Sequence, residues 1–335
     1  MSVIMIVVYL AIIAVSVGVV WLGSGLLEKA STNLAAYYEL PPVVQGAVIA
    51  AAGSSFPELS GIILSTVIHG EFELGVAVIA GSAIFNILVI PGLCGLFAKA
   101  TLKSNRDLIY KEAQFYMVAV ATLLLAFSFA VIYYPQQEFH GKMTRLIALM
   151  PIALYLLYIF IQYQDTMDYQ AETAVTLKVW KQWLQLLAAL LIIVVGVEGM
   201  VRSVIGLGNI LNTPSFLWGL TVIAAGTSIS DAFVSIHSAR NGRSITSIAN
   251  VLGSNTFDLL IAVPVGVLIG GSVVIDFSMA APLMAFLVFA TVVLFVMIRT
   301  SLELDRLEAW TLLGVYGLFL LWMVLETAGI TGVVS

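Results

Sequence analysis

Glu58 and Asp231 are carboxylates in apolar surroundings, each preceded by small hydroxyl residues. Ala51-Ala52-Gly53-Ser54-Ser55-Phe56-Pro57-Glu58 returns as Ala224-Ala225-Gly226-Thr227-Ser228-Ile229-Ser230-Asp231. Gly81-Ser82-Ala83-Ile84-Phe85-Asn86 returns as Gly253-Ser254-Asn255-Thr256-Phe257-Asp258. Glu58 and Asp231 are 173 residues apart, Asn86 and Asp258 are 172 apart. Residues three or four apart share a helix face. Ser54, Ser55, Thr227 and Ser228 therefore stand over the following carboxylate, and Ser82 and Ser254 over Asn86 and Asp258. Polar groups in apolar stretches are costly in lipid and mark ion or substrate paths. Pro57 has no N–H to offer the carbonyl of Gly53, which predicts a break in the first copy. In the second copy Ser230 takes the place of Pro57, so a break there must rest on Gly226 and competing hydroxyls. Carboxylates, hydroxyls, amides and carbonyls, with no thiol or paired histidine, form a hard-cation ligand set. Calcium takes about 6–8 such oxygens, and sodium uses the same oxygens with fewer charges.

The elements that must position these residues lie in a membrane. Of 335 residues, 61% are hydrophobic and 10% charged, against about a quarter charged in soluble domains. Apolar stretches of about 20 residues predict ten spans: 3–24, 42–68, 73–98, 112–134, 146–163, 182–201, 214–239, 245–271, 277–298 and 308–329. The expected fold is an all-α polytopic membrane protein of about ten transmembrane helices. A polar linker, 162–181, divides it into a first five-helix repeat, 1–161, and a second, 182–335. Five is odd, so the repeats lie in opposite orientations, with broken helices at the midplane. Eleven of the 14 Lys and Arg residues fall on the side reached after the odd-numbered spans, including Lys103, Lys111, Lys178 and Arg243. Only Lys142, Arg145 and Arg202 fall on the other. The positive-inside rule then places both termini outside and the 162–181 linker in the cytoplasm of a multi-pass cell-membrane protein.

The duplicated motifs resemble those of the cation/calcium exchanger superfamily, marked by two repeats of G-T-S-x-P-E/D followed by G-S-x-x-x-N/D. The first-repeat motif ending in Asn86, together with Asp231 and Asp258, looks most like the potassium-dependent sodium/calcium exchangers, in a compact prokaryotic-type form. The G-N-x-x-E of proton/calcium exchangers is missing. Departures are Ser54 for Thr, Ser230 for Pro, and Ala232 for a bulkier apolar residue. The resemblance implies that Glu58 and Asp231 are the central calcium carboxylates, shared with sodium. It implies that carbonyls of Ser54 and Thr227 complete the calcium site. Ser55, Ser82, Ser228 and Ser254, with carbonyls of Ala51 and Ala224, would hold flanking sodium ions. Asn86 and Asp258 would line the middle, Asp258 serving potassium. The partners implied are Ca2+, Na+, K+ and the lipid bilayer, with no cofactor, nucleic acid or protein partner.

Other polar residues read more simply. Cys94 is a packing residue, and a lone cysteine excludes an intrachain disulfide. Glu198 reads as a snorkelling span end, Asp276 as interfacial, and His69 with Glu71 and Glu73 as a solvated outer turn. His237, six residues past Asp231, is the candidate for proton coupling. A proton/calcium antiporter on the same fold is the first alternative. An intramembrane aspartyl protease using Asp231 and Asp258 leaves the matching copy in the first half unexplained. Antiport, not enzymatic chemistry, is the expected activity.

Overall fold

The computed structural model describes residues 2–39, 51–98, 101–104, 108–164 and 178–332. The expected start of the second span, 42–50, and most of the expected linker, 165–177, lie outside the described residues.

The chain is nearly all helix. The first half runs α1 (Ser2–Tyr37), α2 (Ala51–Ser54), α3 (Phe56–Val67), α4 (Phe72–Phe97), β1 (Leu102–Lys103), a π-helical turn Leu108–Ala113 leading into α5 (Gln114–Tyr133), β2 (Pro135–Gln137), β3 (His140–Met143) and α6 (Arg145–Gln164). The second half runs α7 (Val179–Leu211), α8 (Ser215–Trp218), a π turn Gly219–Ile223, α9 (Ala224–Thr227), α10 (Ile229–Arg240) and α11 (Ser244–Phe257). A further π turn, Asp258–Ala262, leads into α12 (Val263–Gly270), followed by β4 (Val273–Asp276), α13 (Phe277–Ser301), β5 (Glu303–Leu304) and α14 (Arg306–Thr327). Among the described residues eight helices are long and apolar enough to cross a bilayer, and α8 to α10, bent by 43°, make a ninth. The described part of the remaining expected span is α2 and α3.

The main helices have counterparts in the other half: α1 with α7, α2–α3 with α9–α10, α4 with α11–α12, α5 with α13, and α6 with α14. The pairing extends to single contacts. A Cβ on Gly23 would stand 2.7 Å from Ile193, and one on Gly196 2.8 Å from Val20. Gly23 and Gly196, like Val20 and Ile193, are 173 residues apart, the offset of the motifs. These glycines let α1 and α7 lie against each other as close-packed membrane helices do.

Two of the expected spans are longer than read. α1 and α7 hold 36 and 33 residues, about 50 Å of helix at 1.5 Å per residue. That exceeds the ~30 Å hydrocarbon layer, so they cross tilted or project beyond it. Neither Glu28 nor Lys29 interrupts helical bonding, and Lys29 belongs to α1 instead of the loop after it. α4 sits at the centre, buried along most of its length, whereas most of α1 is exposed. Its core positions Ile84, Ile87, Leu88 and Ile90 are fully enclosed.

Two small ribbons join the halves. β1 pairs antiparallel with β5, Leu102 opposite Leu304 and Lys103 opposite Glu303. β3 pairs with β4, His140 opposite Asp276 and Met143 opposite Val273, with β2 added at the edge. β1 follows α4 and β4 follows α12, while β5 and β2–β3 follow α13 and α5. The two ribbons are thus copies of one pairing, placed at opposite ends of the bundle. That is the arrangement an inverted repeat requires.

A candidate ion-binding chamber

Both motif helices break at the same place. Ser55 has φ −88°, ψ 6°, and Ser228 has φ −73°, ψ 0°. This is the sparsely populated bridge region between helix and strand. The two serines are 173 residues apart. The second break is present although Ser230 replaces the proline; a π turn, Gly219–Ile223, precedes it, and such turns gather at functional sites. Beyond each break a new helix starts, with Glu58 in the first turn of α3 and Asp231 in the first turn of α10. Carboxylates are favoured at helix N-termini.

The expected side chains come together in the interior. Ser55, Glu58, Ser82, Asn86, Thr227, Ser228, Asp231, Ser254 and Asp258 are all fully buried; Ser54 is partly so. Glu58 Oε1 accepts from the hydroxyls of Ser82 and Ser228, each at 3.2 Å. Ser82 and Ser228 are themselves 2.7 Å apart. In the second copy Asp231 Oδ1 accepts from Ser254 at 3.0 Å, the counterpart of Ser82 on Glu58. Asn86 donates to Asp231 Oδ2 at 3.0 Å. Ser254 also stands 3.1 Å from the Ser54 hydroxyl, and its carbonyl accepts from Ser55 at 3.3 Å. The carbonyls expected to serve sodium are held within their own repeats. Ala51 O accepts from the Ser55 N–H at 2.9 Å and the Ser54 hydroxyl at 3.2 Å. Ala224 O accepts from the Ser228 N–H and the Thr227 hydroxyl, each at 3.1 Å.

Among the described residues, four buried oxygens in this cluster find no hydrogen-bond partner: Glu58 Oε2, Asn86 Oδ1 and both carboxylate oxygens of Asp258. A buried polar atom without a partner carries a large desolvation cost. Ser55 is the hydroxyl that faces Asp258, but its hydrogen bond goes to the Ser254 carbonyl. Glu58, Asp231 and Asp258 are within electrostatic reach of one another. Among the described residues no three acidic, histidine or cysteine side chains converge on one point as a ready-made metal cluster. Hydroxyls, amides and carbonyls lie between the carboxylates instead.

Asn255 is a participant that the motif comparison did not single out. Its carbonyl oxygen accepts from Asn86 at 3.0 Å, and its amide donates to the carbonyl of Ala83 at 3.1 Å. Ala83 is its own counterpart in the first repeat. The signal in the sequence was a polar amide in the second motif where the first copy has alanine.

A cavity of 630 Å3 is lined by Glu28, Ala51, Glu112, His237, Asn250 and Gly253, among others, at the end of the bundle where α1, α6 and α10 finish. Glu112 is held there by Tyr158 at 2.8 Å and Gln162 at 2.5 Å. The other end is closely packed: a Cβ on Gly81 would fall 2.0 Å from the carbonyl oxygen of Leu220. On this filled side His69 Nε2 lies 3.1 Å from Glu198, which also bonds Arg202. Glu198 is thus paired, not a free snorkelling end, and His69 joins the end of α3 to α7.

A polytopic helical bundle with a buried, duplicated oxygen chamber is the frame of a membrane ion transporter, not of an enzyme. The chain belongs to the sodium/calcium exchanger protein family, whose model matches residues 8–164 and 181–325. It is 25% identical over 255 residues to the inner membrane protein YrbG of Escherichia coli (strain K12), covering 72% of this chain and 74% of that one. It is 39% identical over 100 residues to the human sodium/potassium/calcium exchanger 4, a match covering 30% of this chain and 15% of that protein. Its fold is similar to that of the sodium-calcium exchanger NCX_Mj soaked with Na+ and Sr2+, with a TM-score of 0.63 and 20% identity over 93% of this chain and 97% of the other. The H+/Ca2+ exchanger CAX is similar at a TM-score of 0.70 and 16% identity, over 95% of this chain and 81% of that one.

Proposed function

We propose that this chain is a secondary antiporter that exchanges sodium for calcium by alternating access, with Asp258 serving potassium as a third ion. The observation that carries the reading is the set of unpartnered buried oxygens on Glu58, Asn86 and Asp258. Such oxygens are costly unless a cation takes them. Glu58 and Asp231 supply the charge for a divalent ion, with carbonyls of Ser54 and Thr227. Ser55, Ser82, Ser228 and Ser254, with the carbonyls of Ala51 and Ala224, offer the weaker, uncharged oxygens that suit sodium. Calcium neutralises two carboxylates, and the third, Asp258, then needs a monovalent cation or a proton.

Alternating access follows from the repeat. The cavity lies at the end rich in Lys and Arg, which the positive-inside rule makes cytoplasmic, and two of its lining residues, Ala51 and Gly253, belong to the repeated motifs. Exchange of conformation between the two halves would close that end and open the other. In this reading the repeats span 1–161 and 182–335, both termini face outward from the cell membrane, and the linker is cytoplasmic. The break at 165–180 between the two stretches matched by the family model agrees with that division.

Calcium flux in proteoliposomes tests the reading. Calcium uptake driven by an outward sodium gradient is expected, and potassium should increase it. Uptake driven by a pH gradient and indifferent to sodium would replace it with proton coupling, the chemistry in the name of the similar CAX structure.

A further inference from the structure

Ser230 stands where the first repeat has Pro57, so only the second repeat brings an additional hydroxyl to the chamber. Its side chain is 5% exposed. Its Oγ lies 3.2 Å from the carbonyl oxygen of Thr227 and 3.5 Å from that of Ser54. One of these carbonyls belongs to each repeat, and both close the helices that end at the breaks. The one hydroxyl proton can serve only one carbonyl at a time.

The three oxygens have the spacing of neighbouring ligands around one ion. Calcium–oxygen distances of 2.3–2.6 Å place adjacent ligands of a regular shell roughly 3.4 Å apart. We propose that Ser230 Oγ is a further oxygen ligand of the calcium site, bridging the Ser54 and Thr227 carbonyls and making the second repeat's contribution larger than the first's. This rests on the exchanger reading above. When calcium binds, the hydroxyl turns its proton away from the carbonyls and presents a lone pair with them. The rotation is about one bond and needs no movement of the backbone. A neutral oxygen added to a shell already holding two carboxylates tunes affinity by ligand number. Its effect therefore falls on calcium binding more than on the turnover of the loaded carrier.

The test is calcium flux in proteoliposomes with Ser230 variants that elute as monodisperse protein. Ser230→Ala should raise the calcium KM about tenfold with kcat within about twofold, through loss of one ligand. Ser230→Thr keeps the hydroxyl and should keep the wild-type KM; Ser230→Pro, the residue of the other repeat, should resemble Ala. In a Cys94→Ala background, Ser230→Cys preserves the side-chain volume and supplies a soft sulfur, so micromolar cadmium should block transport that it leaves unblocked in the parent. Wild-type vesicles without calcium flux would overturn the exchanger reading and this inference together. Calcium flux abolished by Asp231→Asn but with an unchanged KM in Ser230→Ala would overturn this inference alone. So would a cysteine variant insensitive to cadmium.

Discussion

Asn86 donates to Asp231 at 3.0 Å, so an amide of the first repeat orients a carboxylate of the second. The chamber is a joint construction. Glu58 of the first repeat likewise takes a hydroxyl from Ser228 of the second. A change in the angle between the repeats would alter both bonds.

Loss of one chamber carboxylate should disable calcium transport without unfolding the protein. Glu58→Gln and Asp231→Asn keep shape but remove charge from a divalent site. Calcium KM is expected to rise at least about tenfold, some 1.4 kcal/mol or more, or flux to vanish. Wild-type kinetics in either variant, measured on monodisperse protein, would dismiss the chamber as the calcium site.

Asp258 should govern the third ion. Asp258→Asn is expected to abolish stimulation by potassium while sparing part of the sodium-driven calcium uptake. The comparison is made in vesicles at clamped membrane potential. A wild-type protein indifferent to potassium would point to a protonated Asp258 instead.

Gly81 lies against the backbone of the opposite repeat and should not tolerate a side chain. In Gly81→Ala the new methyl meets the Leu220 carbonyl, which forces backbone movement at a cost of about 1–3 kcal/mol. Its melting temperature should fall by several degrees. A wild-type melting temperature in this variant would contradict the close packing of the repeats.

Orientation is accessible to chemistry. In a Cys94→Ala background, Thr173→Cys should resist an impermeant thiol reagent added to intact cells and react after permeabilisation. A cysteine introduced at Ser2 should react from outside. The reverse pattern would invert the assignment and make the 630 Å3 cavity outward-facing.

The repeat was legible because it is written in residue identity. Glu58 and Asp231, or Ser82 and Ser254, are visible as pairs and fold into equivalent contacts. The break at Ser55 was announced by Pro57. The break at Ser228 was weakly announced, since it depends on backbone context that includes a π turn with no residue signature of its own. The length of α1 was missed because Glu28 and Lys29 look like a span boundary, although a helix continues readily into water. Asn255 was passed over because its partners, Asn86 and the Ala83 carbonyl, become neighbours only when the halves dock. The cavity beside Ala51 and Gly253 was invisible for a deeper reason. Where two similar repeats leave space between them depends on how they dock, which motif identity does not encode.

The two ribbons carry a consequence for how such a chain is held together. Each takes one side from either half, and α1 lies along α7. None of these contacts depends on the peptide bonds between 165 and 177. In assembly terms the halves behave as the two subunits of an antiparallel heterodimer that happen to share one polypeptide. Fragments 1–164 and 178–335, co-expressed, therefore have all the described surfaces needed to find each other, and the fused chain carries the architecture of a dual-topology pair.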